Sequence, residues 1–280
     1  ITKDMVREKI IEGKNYLFNN MNKDVHAFYK RYDIVNNDYS TRVRTIYTAS
    51  SLYTLLKISD KDNDPRIAEE IPFIRDFLLS MQSDEDPTRG AFHYSYDIMT
   101  KEKDGRFKVG TTSKTIYTLL ELYRRTEDQT YLEAAKKAGD WLLSMQMAEG
   151  WVRPHVHLRR GELIYDERKS FLYTGQVLSA LSRLFAVTQD ERYYAGAEKI
   201  AALFISESVE QDYSVSDDYR YHCVVSASWV VQSLLDFYKI SHDENAWETL
   251  TVTCEKLLEK QHNDPKDLLN YGRFEGSLAT

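Results

Sequence analysis

The hexapeptide Phe77-Leu78-Leu79-Ser80-Met81-Gln82 returns 64 residues later as Trp141-Leu142-Leu143-Ser144-Met145-Gln146. Self-similarity at a fixed offset restricts a chain to architectures built from repeated supersecondary units. Weaker copies stand at 16–20, 203–206 and 257–261. Each copy ends an amphipathic stretch. Over 131–146, for example, Leu132, Ala135, Trp141, Leu142 and Met145 recur at helical spacing. These segments are expected as outer helices. A second series lies between them, over 45–58, 115–125, 171–187 and 221–240. Gly175, Ala180, Ser226, Ala227 and Ser228 sit there among Leu, Val and Trp, and a helix apolar or small on most faces is a buried one. These are expected as inner helices.

The linkers orient the pairs. Inner-to-outer links are short and polar (126–129, 188–190 and 241–245) and read as tight turns ending in helix caps. Outer-to-inner links are long (83–110, 147–170 and 207–219), which puts the long loops on one face, at the amino ends of the inner helices. Pro72 falls inside the second outer segment, so that helix is expected to start near Ile71 or to kink. With 11 Gly and 5 Pro the chain lacks the turns that a β-sandwich or barrel requires. A net charge of −7 removes any whole-chain drive toward nucleic acid, and no apolar run approaches a membrane span. Cys223 and Cys254 make no disulfide framework and read as free thiols.

A helical hairpin of roughly 60 residues is too long for tetratricopeptide or armadillo patterns. With the repeated hairpin, the run Tyr173-Thr174-Gly175-Gln176-Val177-Leu178-Ser179-Ala180-Leu181 and loops that open on Gly-aromatic pairs, the sequence resembles the (α/α) toroids. These are the six-hairpin glycosidases, related polysaccharide lyases and sugar epimerases. The resemblance runs from about Lys3 to Thr280 and implies an all-α fold of tandem antiparallel hairpins with small strands in the long loops. It implies one toroid domain over 1–280. Four inner helices and the opening of a fifth at 274–280 lead us to expect a ring continued by further chain, or by another domain.

The long loops hold the residues that point to chemistry. In Phe92-His93-Tyr94-Ser95-Tyr96-Asp97, alternation suggests an extended segment with His93 and Asp97 on one side. In Gly150-Trp151-Val152-Arg153-Pro154-His155-Val156-His157, alternation groups Trp151, Arg153, His155 and His157. An indole and a guanidinium suit a sugar ring bearing a carboxylate. The two histidines have no third ligand at diagnostic spacing, so neither metal nor cofactor is expected. Asp217-Asp218-Tyr219-Arg220-Tyr221-His222 leads into an inner helix, where an Asp is either an N-cap or a general acid or base. Tyr173, and Tyr32 with Asp33, precede or open inner helices at the same end.

These residues lead to an expected carbohydrate-active enzyme, a hydrolase, lyase or epimerase acting on an acidic or amino-sugar saccharide or polysaccharide. Hydrolysis needs two carboxylates about 5–10 Å apart, for which Asp97 and Asp218 are the candidates. Lyase or epimerase chemistry would use His93, His155, Tyr173 or His222 as base and acid, with Trp151, Arg153, Tyr94 and Tyr221 holding the substrate. The opposing reading is a non-catalytic saccharide-binding or scaffold toroid. The pocket is expected at the amino ends of the inner helices, where the helix dipoles favour an anionic sugar. The far-ultraviolet circular-dichroism spectrum is expected to be helix-dominated, and a sheet-dominated one would end the hairpin reading.

Overall fold

A computed structural model describes residues 2–217 and 224–259. Their contacts divide the chain into two compact units, one made of residues up to 142 with His155–Tyr165, the other of Leu143–Pro154 and the residues from Asp166.

The first unit carries the outer helices α1 (Lys3–Asn19), α3 (Pro65–Ser80) and most of α5 (Gln129–Ser144), with the inner helices α2 (Thr45–Ser59) and α4 (Val109–Thr126). The difference between inner and outer shows in burial. On α1 only Lys14 and Phe18 are buried, whereas α4 is buried on nearly every side from Val109 to Leu122. Helix α4 starts six residues before the predicted 115, because Gly110, Thr111, Thr112 and Ser113 are weak helix formers that burial nevertheless holds in the helix. Helix α3 runs through Pro72 with Pro65 at its first turn. The carbonyl that Pro72 leaves without a donor belongs to Ala68, which is exposed and open to water.

Strands are confined to the long loops, as expected. Strand β1 (Met21–Asn22) pairs with β2 (Ala27–Phe28), and β3 (Tyr32–Asp33) with β4 (Asp38–Tyr39). Strands β5 (Arg42–Arg44), β6 (Ser95–Asp97) and β7 (Glu102–Lys103) form an antiparallel sheet in which Arg44 faces Ser95. Strands β8 (Arg106–Lys108), β9 (His155–Arg159) and β10 (Glu162–Tyr165) form another, with Lys108 opposite His155 and Arg106 opposite His157.

The second unit has inner helices α6 (Phe171–Thr188) and α8 (Val224–Ser241), packed on each other, with outer helices α7 (Glu191–Glu210) and α9 (Glu244–Glu259). Gly175 permits the close approach of α6 to α8, since a Cβ there would stand 3.0 Å from the Trp229 carbonyl oxygen. Asp236, buried on α8, accepts from the Ser179 hydroxyl at 2.5 Å and from Arg183 Nε at 3.0 Å. Cys254 is a half-buried free thiol. The expected fifth inner helix at 274–280 and Cys223 lie outside the described residues.

The repeated residues have repeated contacts. The backbone N–H of Phe28 donates to Thr48 Oγ1 at 3.0 Å, that of Phe92 to Thr112 Oγ1 at 3.2 Å, and that of Val152 to Thr174 Oγ1 at 3.3 Å. Each threonine lies in the first turns of an inner helix and is fully buried. The glutamine that ends the hexapeptide repeat reaches the next outer helix. Gln82 Nε2 donates to Ala134 O at 2.8 Å, and Gln146 Nε2 to Gly196 O at 2.9 Å. Gly90, at φ +89°, lies so close to α5 that a Cβ would fall 2.0 Å from Lys137 O. Gly150, at φ +102°, stands in the same relation to Lys199 O of α7.

Two ion clusters tie the first unit's short turns. Lys14, buried on α1, binds Asp62 and Asp64 in the α2–α3 turn. Glu121 on α4 accepts from Lys57 at 2.8 Å, Arg124 at 2.7 Å and Arg125 at 2.7 Å. Burial by itself would raise the Glu121 carboxyl, but bonds from Arg124, Lys57 and Arg125 outweigh it and hold the group at about 2.

Thr112→Val keeps the shape of the side chain and removes the acceptor of a buried N–H. It is expected to cost about 1–3 kcal/mol, read as a fall in denaturation midpoint. A midpoint equal to wild type would show that the bond contributes nothing. For Glu121, the folded-state value lies below the unfolded value of 4.5. Its stabilisation is therefore full above about pH 4.5 and lost as pH falls toward 2. Glu121→Gln should lower stability at pH 7 by about 1–2 kcal/mol and flatten the acid limb of stability against pH in that window.

Candidate functional site

In the first unit the loops preceding α2 and α4 meet around one aromatic ring. The backbone of Tyr94 is held on both sides: its N–H donates to Arg106 O at 2.9 Å, and its carbonyl accepts from Thr45 N, the first residue of α2, at 3.3 Å. Its half-buried ring has Lys108 Nζ 4.3 Å, the Arg44 guanidinium 4.4 Å and the Arg106 guanidinium 5.2 Å from its centroid. Cations over an aromatic face are attracted to its quadrupole, but three of them on one ring repel one another.

The placement of two of these cations is unusual. Arg44 is the N-cap of α2 and Lys108 the N-cap of α4, and neither makes a side-chain capping bond. Helix N-termini carry partial positive charge and favour Ser, Thr, Asp or Asn at this position. The same chain follows that rule at α1 with Thr2, α3 with Asp64, α6 with Ser170 and α7 with Asp190. Only Arg106 of the three cations has a carboxylate, Asp104, at 2.8 Å. Among the described residues Arg44 and Lys108 have no ion-pair partner, and Nε and Nη1 of Arg44 are buried without a hydrogen bond. Thr111 Oγ1 and Ser113 Oγ, in the first turn of α4, are likewise buried without one. The ends of α2 and α4 thus present excess positive charge and unsatisfied donors, which an anion would neutralise.

His93 and His155 flank this cluster. His93 Nδ1 lies 2.8 Å from the Asp104 carbonyl oxygen, which can only accept, so Nδ1 carries the proton and Nε2 the lone pair. Its ring stands 4.7 Å from that of Phe107. Burial pushes the imidazole below its usual 6.5 despite the opposing bond to Asp104, so it is neutral at pH 7. His155 sits opposite Lys108 on β9.

The carboxylates here are engaged. Asp104 accepts from Ser95 Oγ at 2.9 Å and from Arg106 Nε at 3.0 Å. Burial would raise it, yet those bonds keep it below the ordinary carboxylate range. Asp97 accepts from the N–H groups of Thr100 and Met99, which close the β6–β7 turn, and from Arg42 Nε at 3.2 Å. The Thr100 N–H contributes most to holding its carboxyl below the usual range. A carboxylate so held is a poor proton donor near neutrality.

The second unit holds other predicted residues. Trp151, expected as a stacking platform, is only 4% exposed, and its indole meets Phe171 edge-on at 5.0 Å. Lys169 Nζ also lies over the indole, 5.8 Å from its centroid, so the covered ring offers no open face to a sugar. Arg153 pairs with Glu167 at 2.9 Å. Tyr173 lies half-buried in the first turn of α6. Asp217 is buried and accepts from Phe171 N at 2.6 Å, Ser226 Oγ at 2.8 Å and Ser170 Oγ at 3.2 Å, tying the start of α6 to α8. Asp218, Tyr221 and His222 lie outside the described residues. In the α1–α2 loop, the half-buried Asp33 accepts from Asn36 and Val35 and shapes its own turn, with the exposed Tyr32 beside it.

Residues 110–223 match the protein family described as Glycosyl hydrolase family 76. No curated protein matches the chain by sequence. Among solved structures, a cellobiose 2-epimerase from Bacillus thermoamylovorans is 16% identical, with TM-score 0.73 over 93% of this chain and 73% of that one. A family-76 α-mannanase from Bacteroides thetaiotaomicron is 16% identical, with TM-score 0.63 over 85% of this chain and 63% of that one. An inactive α-1,6-mannanase variant from Salegentibacter, with two aspartates replaced and α-1,6-mannotetrose bound, is 16% identical, with TM-score 0.58 over 78% and 65%. The chain thus spans under two thirds of either mannanase. At these identities the likeness is one of fold. The chain has the six-hairpin glycosidase-like (α/α) toroid fold.

Proposed function

We propose that the chain is a carbohydrate-active enzyme that binds an acidic saccharide at the amino ends of α2 and α4 and moves a proton next to the sugar carboxylate. One observation carries the reading: Arg44 and Lys108, without ion-pair partners among the described residues, occupy the N-caps of α2 and α4 and lie 4.4 Å and 4.3 Å from the Tyr94 ring centroid. A carboxylate seated there would gain from both cations and both helix termini. The protein's net charge of −7 opposes such a ligand only weakly beyond a Debye length of about 8 Å.

The chemistry follows from the groups present. His93 holds its proton on Nδ1, so Nε2 can accept the proton from the carbon next to the carboxylate. The C–H electron pair then moves into the carboxylate as an enediolate, whose extra charge the cations stabilise. Return of a proton to the opposite face of that carbon gives the epimer. Expulsion of the glycosidic oxygen, protonated as it leaves, gives an unsaturated sugar. His155 and Tyr94 are the donors nearest in register for either outcome.

The second reading is a glycoside hydrolase, favoured by the family-76 match and by the mannanase likeness. The inactive mannanase variant lacks two aspartates, and the adjacent aspartates of this sequence are Asp217 and Asp218. Asp217 is committed to a buried capping network, which argues against it as a catalytic acid or base. A neutral mannan-like substrate belongs to this reading. A saccharide-binding module without turnover is the third outcome.

Oligouronates incubated with the protein in deuterated water are expected to exchange the proton next to the carboxylate or to gain unsaturated ends, read by NMR and ultraviolet absorbance. New reducing ends from α-1,6-mannan, with uronates untouched, would replace this reading by the hydrolase. Binding without either change would leave a lectin-like module. Arg44→Gln and Lys108→Gln should each raise KM about 10- to 100-fold, the loss of one charged hydrogen bond. His93→Gln should lower kcat about 10²- to 10⁴-fold with little effect on KM. Because the imidazole must be neutral and lies below 6.5, wild-type activity should fall as pH drops through that lowered value. The same limb should vanish in His93→Gln.

A further inference from the structure

On the outward side of α3 lies a groove of about 300 Å³, lined by Asp24, His26, Phe73, Asp76, Phe77 and Tyr96. The ring of His26 stacks on one face of Phe73 at 4.5 Å and 20°, so the aromatic surface open to a ligand is mainly that of Phe73. Phe73 is 54% exposed, the largest such side chain on that helix. Tyr96 closes one side with its ring edge-on to Phe77 at 6.0 Å. Asp24 and Asp76 stand at the rim and are exposed.

The stacked pair is held in place. His26 has a left-handed backbone, φ +51°, which costs a non-glycine residue about 1–2 kcal/mol. Its Nδ1 lies 2.7 Å from Glu70 Oε2, and Glu70 is held in turn by Lys23 at 2.9 Å. The same left-handed backbone recurs at Asn37, Lys101 and Arg160 in the other hairpin turns and belongs to the β1–β2 turn; what marks this surface is an exposed Phe73 ring braced on one face by a fixed His26.

We infer that this groove is a second saccharide-binding site, for a neutral pyranose unit of a longer chain. It rests on the reading above that the protein handles saccharides. The C–H face of a pyranose stacks on an aromatic plane, and its hydroxyls donate to carboxylates such as Asp24 and Asp76. Asp76 is paired with Arg75 at 2.7 Å, which leaves Asp24 as the rim carboxylate without a cation among the described residues, whereas Arg44 and Lys108 present excess positive charge, so the two places differ in the charge they select. Tyr96 lies two residues from Tyr94 along an extended segment, about 7 Å. A site at that separation would hold a flanking part of a polymer and add to its retention.

Affinity electrophoresis of the whole chain, in gels containing α-1,6-mannan, a β-linked glucan or polyuronate, separates the possibilities. Retardation by a neutral polymer is expected, lost at least tenfold in Phe73→Ala and kept in Arg44→Gln. Phe73→Ala should leave turnover of a short oligouronate unchanged, since the residue is exposed and outside the reacting site. No retardation by either neutral polymer, or retardation that Phe73→Ala leaves intact, would overturn the inference. Retardation by polyuronate alone, lost in Arg44→Gln, would also overturn it while leaving the proposed function standing. Retardation lost in Phe73→Ala, with no uronate turnover, would instead uphold the groove and remove the proposed enzyme activity.

Discussion

Three backbone N–H groups, those of Phe28, Phe92 and Val152, end on hydroxyls of threonines in the first turns of three inner helices. The loop segments that carry them are buried against apolar side chains, where an unpaired N–H would cost about 1–3 kcal/mol. Water cannot serve there, so the helix must supply the acceptor. Threonine does so from within a helix without breaking the backbone ladder. That bond sets where each long loop lies against its inner helix. The strands, the caps and the aromatic ring at Tyr94 follow from that placement, because Tyr94 is two residues beyond the Phe92 that Thr112 holds.

The other end of each loop is held by the hexapeptide repeat. Its glutamine leaves the end of one outer helix and binds a carbonyl on the next, and a glycine just beyond approaches the same helix more closely than any side chain allows. The positive φ at Gly90 and Gly150 is available to glycine at no steric cost. Repetition is therefore not only a trace of hydrophobic periodicity. It records specific polar contacts between neighbouring hairpins, which explains why Gln and Gly recur with the leucines.

Helix capping reads differently at the two kinds of helix. The described outer-helix caps satisfy the first N–H groups by the usual acceptors, and so does Ser170 on α6. At α2 and α4 a cation takes that place, against the field of the helix. Stability does not select such an arrangement. Its signal was present in the sequence as Arg42-Val43-Arg44 and Arg106-Phe107-Lys108, the same tripeptide pattern at the same 64-residue offset as the hexapeptides. Basic residues before a helix look like solvated loop until the neighbouring strands are in register, which is why these cations escaped a reading centred on His, Asp and Trp.

The sequence by itself determined the helical hairpins, the alternation of short and long links, the burial of the inner series and the confinement of strands to the long loops. All of these depend on period and composition, which are local properties. It also singled out His93, Tyr94 and His155. Tertiary structure alone decided which of the aromatic and charged residues share a place. It put Trp151 in a core, because Phe171 packs against the indole, and it made Asp97 and Asp217 acceptors for backbone N–H groups, because Asp97 opens the β6–β7 turn and Asp217 meets the first residue of α6. It set Arg44 and Lys108 against one ring, that of Tyr94. Alternation within a strand says which side chains share a face, but which partner covers that face is settled by strand register and helix packing between segments separated in the chain, and no local pattern encodes that pairing.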